Sequence, residues 1–127
     1  MSRKTRILLA DDHAVVRQGF KLIINQEPDM EVVGEASDGA DAVRLTQTLK
    51  PDVVIMDIAM PKVNGWTLAK EVRRRMGSRP LLIAITGHYT KSADKALSHV
   101  SGFDHYLTKP ADPDVLLSLV AGAKPGE

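Results

Sequence analysis

Three acids, a hydroxyl and an ammonium in this sequence each stand where a short apolar run stops. Asp11-Asp12 follow Ile7-Leu8-Leu9-Ala10, and Asp57 ends Val53-Val54-Ile55-Met56. Thr86 ends Leu81-Leu82-Ile83-Ala84-Ile85, and Lys109-Pro110 follow His105-Tyr106-Leu107-Thr108. Short runs rich in β-branched residues read as strands buried on both faces, and open parallel sheets bind ligands beyond the carboxyl ends of their strands. On one sheet edge, these residues would converge. Three carboxylates alone repel one another, a conflict that a hard divalent cation removes. Mg²⁺ takes few carboxylates and keeps water positions that phosphate oxygens can fill. Lys109 and Thr86 would then face the same phosphate as charge and hydrogen-bond donor. The set has the chemistry of phosphoryl transfer.

The segments between these runs read as helices. Val16, Phe20 and Ile23/Ile24 share one face of the first, which Glu27-Pro28-Asp29 stops. Met30–Ala36 alternates less cleanly and reads as a short edge strand. Ser37-Asp38-Gly39 turns the chain, with Asp38 as N-cap of a second helix striped by Ala42, Val43, Thr46 and Leu49 up to Lys50-Pro51. After Asp57 comes a loop holding Pro61 and Asn64-Gly65, a pair suited to positive φ. Trp66, Ala69, Val72 and Met76 stripe the third helix, and Ala93, Ala96, Leu97 and Val100 the fourth. Asp112-Pro113 opens the fifth as N-cap and first-turn proline, with Val115, Leu116, Leu119 and Val120 inward. Five strands alternating with five helices predict an α/β fold, a single doubly wound parallel sheet covered on both faces. The boundaries predict one domain over residues 1–121 and a flexible tail over 122–127.

Composition bounds the functions available. A chain of 127 residues buries a real core, and a formal net charge of +1 gives no bulk attraction to nucleic acid or anionic membrane. The absence of cysteine excludes disulfide and thiol chemistry and fits a cytoplasmic location. The basic start Met1–Arg6 is followed by too short an apolar run for a signal peptide, and no run approaches the roughly 18 residues of a membrane span. A soluble chain is expected.

In order and at the correct strand ends, Asp11-Asp12, Asp57 in Asp-x-x-Met-Pro, Asn64-Gly65, Thr86-Gly87, Tyr106 and Lys109-Pro110 closely resemble the receiver domain of bacterial two-component response regulators, of the chemotaxis-regulator type, over essentially the whole chain. The resemblance implies a flavodoxin-like (βα)5 domain with strand order 2-1-3-4-5. It implies that Asp57 is the phosphoacceptor for a phosphohistidine on a sensor histidine kinase or histidine phosphotransfer protein. Asp12 and Asp57, with the Ala59 backbone carbonyl, would ligate Mg²⁺, and Asp11 would act mainly through water. Lys109 would bridge to the phosphoryl group from a cis Lys109–Pro110 bond. Thr86 would move onto a phosphoryl oxygen, and Tyr106 would turn inward, changing the face of helix four, strand five and helix five for an output partner. Such a receiver takes part in its own phosphorylation and dephosphorylation without being a conventional enzyme. The first half, with Asp11-Asp12-His13, resembles receivers of helix-turn-helix regulators; the second, with Ala84–Gly87 and Gly102–Pro113, resembles receivers of hybrid sensor kinases.

Other readings are weaker. An aspartate-nucleophile phosphatase of the haloacid-dehalogenase type wants a second acid two residues past the nucleophile, where this chain has Ala59. No Gly-x-x-x-x-Gly-Lys sequence supports a nucleotide hydrolase, and three acids suit a flavin phosphate poorly. A phosphate-independent interaction module remains the main alternative. His13, His88, His99 and His105 lack metal-ligand spacing; His13 and His88 fall nearer the site, and the resemblance gives the positions of Ala59 and His88 a part in setting phosphoryl lifetime. Arg73-Arg74-Arg75 reads as a solvated helix end whose charges favour the C-terminal dipole, not as a nucleic-acid contact.

Overall fold

The computed structural model describes residues 4–57, 65–77, 80–86, 103–108 and 112–123, with residues 65–68, Thr86, Tyr106 and Thr108 described by backbone alone. Strands β1 (Thr5–Ala10), β2 (Met30–Ala36), β3 (Val53–Asp57), β4 (Leu81–Thr86) and β5 (His105–Thr108) pair in the order β2-β1-β3-β4-β5. Every pairing is parallel. Helices α1 (Ala14–Asn25), α2 (Gly39–Leu49), α3 (Gly65–Met76) and α4 (Pro113–Ala121) complete the described elements. The sequence's fifth helix is thus α4, and the helix expected over Ala93–Val100 lies outside the described residues.

Strand periodicity divides the core in two. Successive strand side chains point to opposite faces. Ile7, Leu9, Val53, Ile55, Ile83 and Ile85 therefore pack on one face with Ile24 of α1 and Leu116 and Val120 of α4. Leu8, Ala10, Val54, Met56 and Leu82 pack on the other with Ala42 of α2 and Ala69 and Val72 of α3. Helices thus cover both faces of the sheet. Asp38 and Asp112 cap α2 and α4 by accepting from the backbone N–H of Asp41 and Asp114. Past α4, Gly122 and Ala123 donate back to Ser118 and Val120, and Ala123 packs on the core. The helix's last carbonyls are thereby satisfied by N–H donors that follow it.

The irregular alternation of β2 has a local cause. Its register against β1 runs Ile7↔Val32 and then Leu8↔Gly34, so Val33 is an extra residue at a β-bulge. Gly34 is also a packing glycine, since a Cβ there would lie 2.6 Å from Leu49 Cδ1 of α2.

Two anchors, the first of them buried, hold the edge opposite the Asp57 end. Asp52, 4% exposed, accepts from the backbone N–H of Arg6 at 2.9 Å, and the Arg6 guanidinium donates to the Leu49 carbonyl at 2.7 Å. Arg73 donates to Asp104 and to the Pro80 carbonyl, while Asp104 accepts from the Leu82 N–H at 2.8 Å. Arg73 is therefore a tie between α3 and the start of β4, a correction to its reading as part of a solvated helix end. That reading suits Arg74 and Arg75, which pair along the helix with Glu71.

Candidate functional site

Because β1 and β3 are neighbouring parallel strands, with Ala10 opposite Met56, their carboxyl ends emerge side by side. Asp57 closes β3 opposite Ile85 of β4, and its side chain is 3% exposed. Asp11 follows β1 directly. Its N–H donates to the Ala36 carbonyl of β2 at 3.0 Å, and its side chain turns inward, 5% exposed. Asp12 lies at the rim, 30% exposed.

Asp11 Oδ1 accepts from the backbone N–H of His13 at 2.8 Å, fixing the turn into α1. His13 occupies the N-cap position of α1, but its side chain caps nothing. Its Nδ1 instead lies 2.9 Å from Asp11 Oδ1, 3.2 Å from Asp12 Oδ1 and 3.9 Å from Asp57 Oδ2. One donor atom from each of Asp11, Asp12, His13 and Asp57 falls within 4.8 Å of the others. Carboxylates this close favour a shared divalent cation, and the oxygen-rich donor set fits Mg²⁺.

The sequence-predicted acids Asp11, Asp12 and Asp57 thus meet. The Thr86 backbone ends β4 one residue beyond Ile85, the partner of Asp57, and pairs with Thr108 of β5. Tyr106 pairs with Ala84. Ala59, Lys109, Pro110, Asn64 and His88 lie outside the described residues, as does His99. His105 is half-buried in β5.

Sequence reasoning placed His13 nearer the site than His99 or His105 but gave it no ligand role for want of ligand spacing, a rule suited to ligands on one element; here the donors come from two strand ends. It gave no role to Arg17, whose guanidinium donates to the Asp11 backbone carbonyl and, through Nε, to Glu35 Oε1 at 3.2 Å.

A family model described as the response regulator receiver domain matches residues 7–121. Among curated proteins, the chain is 36% identical over 124 residues to the uncharacterized transcriptional regulatory protein YxjL of Bacillus subtilis, covering 98% of this chain and 56% of that protein. It is 37% identical over 122 residues to the nitrate/nitrite response regulator protein NarL of Escherichia coli K12, covering 95% of this chain and 55% of that protein. The chain spans about half the length of these relatives. Among solved structures, the response regulator domain of Thermotoga maritima CheB matches with a TM-score of 0.83 at 33% identity, covering 95% of this chain and 96% of that one.

Proposed function

This chain belongs to the response regulator receiver domain family of two-component systems, and on that basis we propose that Asp57 accepts a phosphoryl group from a phosphohistidine of a sensor histidine kinase or histidine phosphotransfer protein. The observation that carries this reading is a buried carboxylate at the end of β3 with Asp11 and Asp12 in reach of one cation. An Asp57 oxygen attacks phosphorus in line. The new O–P bond forms as the P–N bond to the partner's imidazole breaks, and that nitrogen leaves with the electron pair while the ring's other nitrogen holds a proton taken from water, so that neutral imidazole departs. Asp12, Asp57 and the Ala59 carbonyl would hold Mg²⁺ directly and Asp11 would hold it through water, and the bound ion would neutralise charge on the phosphoryl oxygens.

Lys109 pairs with the transferred phosphoryl group and Thr86 donates to it. Register supports this, because Thr86 stands on the strand beside Asp57 and Lys109 follows its partner Thr108. Tyr106 turns inward as Thr86 moves, and the altered face of helix four, strand five and the last helix is read by an output domain or protein. The complete (βα)5 domain over residues 1–121 belongs to the same proposal. Parallel pairing of β4 and β5 needs a crossover through residues 87–104, where the sequence pattern is helical. Among the described residues no helix is long and apolar enough to cross a membrane, and a cytoplasmic location is proposed with the function. Nothing in the charge of this chain calls for direct nucleic-acid binding.

The test is incubation with Mg²⁺ and acetyl phosphate, read by intact mass. One added phosphoryl group is expected in the unaltered protein and none in Asp57→Asn. An unmodified protein, or equal modification of the variant, would refute the assignment.

A further inference from the structure

One member of the cluster has no part in magnesium chemistry: His13. We propose that His13 is an additional metal ligand, letting the Asp11–Asp12–Asp57 site bind a borderline divalent ion of the zinc class in competition with magnesium. The proposal rests on the function proposed above, since it takes the three carboxylates to hold a divalent cation.

Three features of the structure support it. The His13 side chain leaves its capping position unused and turns toward the acids. Its Nδ1 stands 2.9, 3.2 and 3.9 Å from three different carboxylates. Donors held about 2.1 Å from one ion at the corners of a tetrahedron are roughly 3.4 Å apart, and the three separations from Nδ1 straddle that value, so the ring nitrogen is near the spacing of a ligand. The backbone beneath it is fixed by the His13 N–H to Asp11 Oδ1 and by the Arg17 N–H donating to the His13 carbonyl at 3.0 Å. Ligation needs the neutral ring with its proton on Nε2. The side chain is 60% exposed, so water can carry that proton from one nitrogen to the other.

Imidazole suits zinc and is a poor partner for magnesium, which prefers oxygen. One nitrogen and three carboxylate oxygens make a closed four-coordinate set, the arrangement of zinc sites without an open position. Zinc held this way would occupy Asp57 and leave no place for a phosphoryl oxygen. The site would then be silenced, not activated, by that ion.

Zinc outcompetes magnesium at most nitrogen and oxygen sites, so preference alone decides nothing. The decisive comparison is calorimetric titration of the full chain with magnesium chloride and separately with zinc chloride, for the unaltered protein, His13→Ala and Asp57→Asn. His13→Ala should weaken zinc binding about tenfold to a hundredfold while magnesium changes less than about twofold. Asp57→Asn should weaken both. Zinc affinity unchanged in His13→Ala, or retained in full in Asp57→Asn, overturns the proposal. So does an equal loss of both metals in His13→Ala, which would make His13 a positioning residue for Asp11. Failure of the unaltered chain to bind magnesium would sink the phosphoacceptor reading as well, whereas magnesium binding with His13-independent zinc sinks this inference alone.

Discussion

The Arg17 guanidinium, in the first turn of α1, donates to the backbone carbonyl of Asp11 and reaches Glu35 at the end of β2. The loop that carries Asp11 and Asp12 is thereby tied to the strand on its far side. Lys21 adds a second cation beside Glu35, 3.6 Å away. The position of two of the three site acids thus depends on a helix that supplies none of them.

Replacing Arg17 with Met keeps most of the packing and removes both bonds. Charged hydrogen bonds contribute about 1.5–3 kcal/mol each, and the side chain is partly shielded, so urea unfolding should show a loss of about 2 kcal/mol. Magnesium affinity should fall about tenfold, as when an outer partner of a ligand is removed. Lost stability with unchanged magnesium binding would make Arg17 only a staple.

Asp52 tests the opposite edge of the sheet. Asp52→Ala leaves the partly buried Arg6 N–H without its carboxylate partner, so a loss of about 1–3 kcal/mol is expected in denaturant unfolding. Magnesium affinity should stay unchanged, because Asp52 immediately precedes β3 whereas Asp57 ends it. A matching loss of metal binding would mean that the two edges are coupled.

Strand ends were legible in the sequence because an acid after four apolar residues, as at Asp57, breaks a pattern that burial enforces. The caps at Asp38 and Asp112 were legible for a similar reason, since each precedes a helical stripe and bonds locally. Less visible were features set by partners distant in the chain. Val33 is a bulge only against β1, Gly34 is crowded only by Leu49 and Leu8, and Arg73 finds its acid 31 positions away. Asp52 looks like a loop acid until Arg6 is placed beside it. His13 was legible as a neighbour of the acid pair but not as a donor beside Asp57, which lies on another strand.

Acid titration should reveal the Glu71 cluster on α3. Hydrogen bonds from Arg74 and then Arg75 lower the Glu71 pKa from 4.5 to about 2. A depressed folded-state value stabilises the fold above the unfolded value and loses that contribution as pH falls through the folded one. The window therefore runs from 4.5 down to about 2. Thermal midpoints of the unaltered protein and Glu71→Gln should differ at neutral pH and converge across that window. Added salt should also shrink the gap, because the pairs face solvent. A gap independent of pH would show that Glu71 acts through packing and not through charge.

Asp57 itself should cost stability when no metal is bound. Its carboxylate stands with those of Asp11 and Asp12 in a cluster only 4.8 Å across, and it is buried, so little solvent screens the repulsion. Asp57→Asn keeps the shape and removes one negative charge. In a chelator the variant should therefore melt higher, by about 1 kcal/mol of stability, as expected where function holds like charges together. Magnesium should reverse the order. At a concentration about a hundredfold above its Kd, a cation that binds only the folded chain adds about 2.7 kcal/mol to the unaltered protein, and the variant should gain far less. Paired melts with chelator and with magnesium read both halves of the prediction. A variant less stable under both conditions would mean that the hydrogen bonds and ion pairs of Asp57 outweigh the repulsion, and that the acids are not held in conflict.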